Sequence, residues 1–381
     1  MDDLRQNEGV ATHTLDGDAP IFDPVDWRLN DFEAALCSET RSLAADLFAA
    51  RASGIDRAAR FPTENYADLH SNDLMGICIP SQYGGRGADL RAYMLAAAEI
   101  GRYCGATALT FNMHVSSCLW TGFLADNLPM AAEQRDSHNT MRQRHYHRIL
   151  KKGAIYAQPF SEGGDAAAGK TAFGTTALVA NGGWIINGQK IFASLSGHAD
   201  YYGVLCTELA TADATPSRAN TMYIAIDSRA AGVSVEGEWD PLGMRGTVSR
   251  TLVFKDVFVP FEEQLMPRGV YFNAARQWPH MFMTLTPSYM GIAQAAYDFT
   301  IRYLRGEQAG TPAVKRRMYA TKQLAVAQMK IMLEQTKSLW FQAITEARPN
   351  PSKDALMRAW AAQYLSLIHI SEPTRRRGIS Y

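Results

Sequence analysis

The order of hydrophobic patterns along the chain restricts its fold more than any other feature. Apolar residues recur at three- and four-residue spacing over residues 31–124 and again from about residue 274, which predicts long helices in both regions. Between them, residues 155–260 form short segments rich in β-branched and aromatic residues, such as "TTALVA" and "TMYIAIDS". The sequence therefore predicts an α+β chain in three parts, with a β domain between two helical parts.

Turn chemistry within the central part favours an antiparallel sheet. "NGGW" and "INGQK" each carry an Asn-Gly pair, the dipeptide typical of tight hairpin turns. The charged run "RQRHYHRILKKG" that precedes this part is interpreted as a solvated loop. The expected divisions are a polar N-terminal extension (1–30), an N-terminal helical domain (31–154), a middle antiparallel β domain (155–262), an incomplete C-terminal helical domain (263–365) and a non-native tail (366–381).

Charge and cysteine content limit the class of ligand and the compartment. Lys+Arg and Asp+Glu are equal at 38 each, so the whole chain has no net field that attracts nucleic acid or anionic lipid. Five cysteines without a C-x-x-C pair argue against a disulfide framework and a zinc ribbon. The N-terminus is acidic, and no stretch approaches the roughly 20 apolar residues of a membrane span. We expect a cytoplasmic protein with a small-molecule ligand, no metal site and no membrane span.

Four motifs, in order, carry a resemblance to a known family. They are "IPSQYGGRGAD", "QPFSEGGD", "GGWIINGQKIFASLSGHAD" and "WDPLGMRGTVSRTLVFKDVFVP". These segments are similar to the P-E-x-Y-G-G-x-G, T-E-P-x-x-G-S-D, W-I-T-N and L-G-M-R-G…F-x-D-V-x-V-P motifs of the acyl-CoA dehydrogenases, which share the three-part order. Over residues 74–260 the chain resembles that family. The resemblance implies an FAD between the middle domain and the C-terminal helices, with a flat acyl thioester stacked on the flavin.

The resemblance also implies where the flavin and substrate would be contacted. Phe192 takes the place of the family's usual Trp over the ring, and Ser194 takes that of a Thr whose hydroxyl reaches flavin N5. Arg245 and Gly164 are candidate substrate contacts; for Arg245, a role in fixing a β-turn is an equal alternative. The cofactor-binding residues implied are Tyr156, Ala157, Gln158, Gly163, Gly164, Phe192, Ala193 and Ser194.

No catalytic base is identified. Oxidation of an acyl thioester needs a carboxylate to remove the α-proton, and at one of the family's two positions for it this chain has Met281. The other position lies near the family's C-terminus. There, "SLIHISEPTRRRGISY" resembles translated read-through into a sequencing adapter, with a native basic tail as the alternative. We expect a chain without its last helices to expose apolar surface and to be poorly stable or inactive.

Three functions are weighed. The first is an FAD-dependent acyl-CoA dehydrogenase of lipid metabolism that oxidises a thioester at Cα–Cβ and passes electrons to an electron-transfer flavoprotein. The second is a flavin monooxygenase of the same fold. It would use FMN from a flavin reductase on a small aromatic, sulfur or nitrogen compound, with His114 and Ser194 near the flavin; otherwise His114 is a core histidine. The third is a non-catalytic relative that binds a ligand or partner. A homotetramer is expected by family analogy alone.

Overall fold

The computed structural model describes residues 19–163, 171–313 and 316–371, and side chains as far as residue 367. Within these ranges it confirms the predicted three-part α+β architecture. The helices are α1 (Asp31–Leu43), α2 (Ala49–Ala58), α3 (Thr63–Ser71), α4 (Leu90–Tyr103), α5 (Gly105–Leu119), α6 (Ala132–Lys152), α7 (Val270–Gln277), α8 (Thr286–Arg305), α9 (Ala320–Thr345) and α10 (Lys353–Ser371). The strands are β1 (Tyr156–Ala157), β2 (Thr176–Ala180), β3 (Gly183–Ala193), β4 (Tyr201–Leu209), β5 (Thr221–Asp227), β6 (Val233–Glu236), β7 (Arg250–Pro260) and β8 (Gln264–Met266).

Helix α4 is the central helix of the N-terminal domain. Its start is capped by the Asp89 carboxylate, which accepts a hydrogen bond from the Ala92 amide at 2.8 Å. Most of its residues are buried, because α1, α5 and α8 pack around it. The contact with α8 is close enough that the two helices meet at glycines, Gly101 and Gly291. An ion pair between Arg102 and Asp298, 2.7 Å apart, fastens the same crossing.

The charged run before the β domain is a helix, so its interpretation as a solvated loop was wrong. It forms the second half of α6, and its buried side chains recur with a helical period that the charges obscure in the sequence. Arg142 is buried because its guanidinium donates to the Thr121 carbonyl at 2.9 Å and pairs with Asp126 at 2.8 Å. That carbonyl belongs to a π-helical turn, Trp120–Leu124, which is kinked at Gly122 and follows α5. Helix α6 therefore fixes the end of α5.

The middle domain is one twisted sheet in the strand order β6-β7-β3-β2-β4-β5-β8, with β1 beside β4. Most neighbours are antiparallel, as expected, but β4 runs parallel to both β1 and β2, which corrects the purely antiparallel prediction. The "NGGW" hairpin is confirmed, since Asn181 and Gly182 join β2 to β3. "INGQK" is no turn: Gly188 lies within β3, where its φ of 145° accompanies a shift in register against β7.

The last helix extends further than its sequence pattern suggested. The helical pattern was expected to stop at Leu365, whereas α10 continues to Ser371. Within the described ranges, no helix is both long enough and apolar enough to cross a membrane. Helix α8 lies against α4 and α5, and residues just before and at its start line one cavity together with residues of the β domain.

Candidate functional site

A cavity of about 580 Å³ lies where the three parts meet. One wall is a face of α5 and the first residue of the π-helical turn after it, with lining residues at three- and four-residue spacing from Leu109 to Trp120. Eleven residues of helix rise by about 16 Å, so the cavity is elongated along α5. The remaining walls come from the segment after β1 (Gln158, Phe160, Ser161), the end of β3 (Phe192, Ser194), the segment before β7 (Trp239, Pro241, Gly243, Met244, Thr247, Ser249) and the start of the C-terminal part (Met281, Phe282, Thr284, Leu285, Tyr289).

The aromatic side chains that line the cavity differ in exposure. Phe192 is 69% exposed and meets Trp239 edge-on, with ring centroids 6.3 Å apart. Trp120 is fully buried, 4.9 Å from Tyr271 and 6.3 Å from Phe282 between ring centroids. Solvent therefore reaches the cavity wall at Phe192, whereas the wall at Trp120 is buried.

A chain of hydroxyl groups crosses the β wall of the cavity. Ser194 Oγ lies 2.8 Å from Ser249 Oγ, which lies 2.7 Å from Thr247 Oγ1. Thr247 donates to the carbonyl oxygen of Met244 at 2.9 Å, and a carbonyl can only accept. Each hydroxyl has one proton, so Ser249 donates to Thr247 and Ser194 donates to Ser249. With the chain intact, Ser194 Oγ offers the cavity a lone pair rather than a proton.

Two buried polar atoms of lining residues have no hydrogen-bond partner in the described part of the chain. They are Gln158 Oε1 and Trp120 Nε1. A buried polar group without a partner costs free energy, commonly about 1–3 kcal/mol, so such atoms mark places where a polar ligand is favourable. The cavity, which is otherwise largely apolar, therefore has one acceptor and one donor that a polar ligand could bond to.

The structure brings together three of the predicted cofactor residues. Gln158, Phe192 and Ser194 all line the cavity. Phe192 has a φ of 50°, a left-handed conformation that turns the chain sharply at the end of β3. Gly163 also has positive φ, at 81°, in the turn that follows Ser161. Gly164 lies outside the described residues.

The backbone at the start of the segment does not provide all the contacts that were expected. The amide of Tyr156 donates to His114 Nδ1 at 3.0 Å and is therefore not free for a ligand. Tyr156 and Ala157 pair with β4, while Ala157 and Ala193 are fully buried and neither lines the cavity. Of residues 156–158, Gln158 is the one that reaches the cavity.

His114 is a core histidine. Its Nε2 donates to the Met75 carbonyl at 2.9 Å, and its Nδ1 accepts from the Tyr156 amide, so both ring nitrogens are occupied. It does not line the cavity that Ser194 lines, so the structure does not place the two beside a common ligand. Burial lowers the pKa of His114 to about 4, which keeps the ring neutral.

Arg245 has a structural role. Its Nε donates to the Asp56 carbonyl at 2.9 Å, while its Nη1 donates both to the Asp240 carboxylate and to the Pro241 carbonyl. It is not among the residues that line the cavity, so the substrate contact stays a prediction. The alternative, an arginine that fixes a turn and docks it on α2, fits these contacts.

We expect replacement of His114 by Gln to flatten the acid side of the stability curve. Unfolded histidine titrates near pH 6.5, whereas folded His114 stays neutral to about pH 4. Its contribution is therefore fully present above pH 6.5 and is lost as the pH falls towards 4, by roughly 3 kcal/mol in total. His145 acts in the same direction because burial also lowers its pKa to about 4, while Glu99, whose pKa burial raises to about 7, opposes it.

Urea unfolding of both proteins from pH 7.5 to 4 measures this effect. The difference between wild type and variant isolates His114, because the other groups are common to the two proteins. The free energies of unfolding should converge as the pH falls. Parallel curves would contradict a neutral, buried His114.

Several lining residues were missed by the sequence analysis. Polar ones among them are Asn112 and Ser116 on α5, Thr247 and Ser249 before β7, and Thr284 before α8. A signal existed for the first two, since they lie four residues apart on an otherwise apolar helix face. Thr247 and Ser249 lie inside the recognised "LGMRGTVS" motif, but only the structure shows that Ser249 bonds to Ser194 and Thr247 to Ser249.

Two protein-family models match the chain. Residues 30–151 match the N-terminal domain of acyl-CoA dehydrogenases, and residues 160–257 match the middle domain, together more than half of the chain. The chain belongs to the acyl-CoA dehydrogenase family. A short-chain-specific acyl-CoA dehydrogenase of Clostridium acetobutylicum is 28% identical over 257 residues, which are 67% of this chain and 63% of that relative. The mitochondrial isovaleryl-CoA dehydrogenase of Solanum tuberosum is 27% identical over 323 residues, or 83% of this chain and 73% of the relative.

Solved structures agree on the acyl-CoA dehydrogenase fold. FMN-bound TdsC from Paenibacillus sp. A11-2 superposes with a TM-score of 0.73 at 22% identity, covering 90% of this chain and 86% of TdsC. Another TdsC structure describes the protein as a dibenzothiophene monooxygenase. Butyryl-CoA dehydrogenase from Megasphaera elsdenii superposes with a TM-score of 0.70 at 20% identity, covering 89% and 84% of the two chains. At these identities the likeness concerns the fold.

Proposed function

We propose that the cavity binds a flavin and that the chain is a flavin-dependent oxidoreductase. The observation that carries this proposal is the set of polar groups in the cavity: the unpartnered Gln158 Oε1 and the hydroxyl chain that ends at Ser194. The edge of an isoalloxazine ring carries donors and acceptors, and its faces are flat and apolar. Gln158 and Ser194 would hold the edge, and Phe192 would cover a face. FAD is the form favoured by the family resemblance.

We propose further that the reaction is the oxidation of an acyl-CoA thioester between Cα and Cβ. When bound, the flavin supplies the acceptor for the hydride. The chain's own residues orient the substrate along α5, and the buried indole of Trp120 excludes water from its part of the cavity. This part of the proposal rests on the family and on the shape of the cavity. An electron-transfer flavoprotein as electron acceptor, a cytoplasmic location and a homo-oligomer belong to the same proposal.

The test is anaerobic titration of the flavin-loaded protein with acyl-CoA thioesters. The oxidised flavin absorbance should bleach as the thioester is added, and the enoyl-CoA should appear in equal amount. An alkyl-CoA thioether, in which a methylene group replaces the thioester carbonyl so that no acidic α-proton remains, serves as a control for binding without reduction. If flavin binds but no acyl-CoA of any length bleaches it, the dehydrogenase reaction is excluded.

A flavin monooxygenase is the second candidate, and one observation favours it. No Asp or Glu is among the residues that line the cavity in the described part of the chain, so a base for α-proton removal is not assigned. The cavity instead offers hydroxyl, amide and indole groups. For this reaction, reduced FMN should bind more tightly than oxidised FMN, and a small aromatic, sulfur or nitrogen compound should be hydroxylated when a flavin reductase is supplied. A chain that binds no flavin in either form would fit the third possibility, a non-catalytic relative.

A further inference from the structure

A buried ion pair lies directly behind the cavity and takes no part in the contacts discussed above. Lys190 Nζ is 2.5 Å from Glu162 Oε1, and the side chains are 0% and 9% exposed. Lys190 also donates to the Leu205 carbonyl at 2.6 Å and lies 4.6 Å above the ring of Phe173. The ammonium group is thus held by a carboxylate, a carbonyl and an aromatic face.

The carboxylate of Glu162 joins further segments to the pair. Its Oε2 accepts from the Gly174 amide at 2.6 Å, and its Oε1 accepts from the Thr175 amide at 3.0 Å. Thr175 immediately precedes β2, and Leu205 lies in β4. One Lys–Glu pair therefore ties β3, β4, the start of β2 and the segment after β1 to one another.

Both partners stand next to cavity residues in the sequence. Glu162 follows Ser161 directly, and Lys190 lies two residues before Phe192 and four before Ser194. A backbone hydrogen bond of 2.8 Å from the Ile191 amide to the Ser161 carbonyl also joins β3 to the segment after β1. The ion pair thus sets the distance between the Gln158 wall and the Ser194 wall of the cavity.

Burial makes this connection stiff. Two charges removed from water stay favourable only while they remain paired and hydrogen-bonded, so neither partner can move away alone without leaving an uncompensated charge. Burial raises the pKa of Glu162 and the Lys190 charge lowers it; the net shift is downward, so the carboxylate stays ionised. A surface pair at the same distance would allow the two walls to shift.

We propose that Lys190 and Glu162 are positioning residues that set the affinity of the cavity for flavin, by fixing the Gln158 wall against the Ser194 wall. The inference rests on the proposed flavin function. It concerns binding geometry, because neither side chain lines the cavity itself. The two residues should therefore act through Gln158, Phe192 and Ser194 and be coupled to each other.

The test compares FAD and FMN dissociation constants of the full chain and three variants: Lys190→Met, Glu162→Gln and the double variant. Each single variant should weaken flavin binding by about tenfold or more, and the double variant should weaken it by less than the product of the two. The visible circular dichroism of the flavin that still binds should change, since its surroundings have shifted. A purely structural pair would lower the unfolding midpoint and leave both readouts unchanged.

Glu263→Gln is the matched control. Glu263 pairs with Arg148 at 2.5 Å, also with little exposure, and neither residue lines the cavity. This variant should lose stability without changing flavin affinity or the dichroism spectrum. Wild-type protein that binds no flavin would overturn the proposed function. Wild-type protein that binds flavin, with Lys190→Met and Glu162→Gln binding equally well at a temperature where all are folded, would overturn this inference alone.

Discussion

Replacement of Gly291 by alanine is expected to destabilise the protein severely. Gly291 lies on α8 where that helix crosses α4, and an added Cβ would lie 2.5 Å from the Arg102 nitrogen and 2.5 Å from the Gly101 carbonyl carbon, and against the Ala98 carbonyl. These are backbone atoms in a central helix, so they cannot rotate away as a side chain would. The helices must separate, and we expect a loss of about 3 kcal/mol or more. Thermal and urea unfolding measure it.

Gly54→Ala is the matched control for this prediction. Gly54 is also inside a helix, α2, but no atom lies within 4 Å of the position its Cβ would take. Alanine there should stabilise the protein by about 0.5–1 kcal/mol, because glycine is the poorer helix former. If the two variants have the same unfolding free energy, the close crossing of α4 and α8 is refuted.

The second large effect concerns Trp120, a fully buried residue that lines the cavity. Replacing it with alanine removes the indole that packs on Tyr271 and enlarges the cavity at this wall. For the dehydrogenase reaction proposed above, we expect preference to move to thioesters with longer acyl chains. Each additional methylene that becomes buried should contribute about 0.8 kcal/mol, close to fourfold in affinity. Anaerobic titration with straight-chain acyl-CoAs of increasing length measures the preference.

Trp278 offers a control of the same residue type. It is also fully buried with an unpartnered Nε1, but it packs against Phe123 and does not line the cavity. Trp→Ala at either position should lower the free energy of unfolding by about 3–5 kcal/mol. If the alanine variants do not fold, Trp120→Phe and Trp278→Phe can be compared in their place. A shift in chain length with Trp278→Ala, or none with Trp120→Ala, would show that Trp120 does not limit the cavity.

The sequence predicted the fold well where the pattern was local. Helical spacing, the Asn181–Gly182 hairpin and the ordered motifs each depend on neighbouring residues, and the structure confirms them. The failures share a cause. The charges in α6 suggested a loop because their buried partners, the Thr121 carbonyl and Asp126, lie elsewhere in the chain. Asn-Gly at 187–188 suggested a turn because a bulge and a hairpin use the same dipeptide chemistry.

For the site, the sequence by itself determined three residues that line the cavity: Gln158, Phe192 and Ser194 lie in motifs that stay recognisable although single residues differ from the family pattern. The tertiary structure alone decided which atoms are free. Backbone partners from distant segments occupy both nitrogens of His114 and the Nε of Arg245, whereas Gln158 Oε1 has no partner in the described part of the chain. The sequence gives the donors and acceptors of the chain. The tertiary structure determines which of them are already paired within the protein, because a hydrogen bond forms only when folding brings its donor and acceptor within bonding distance.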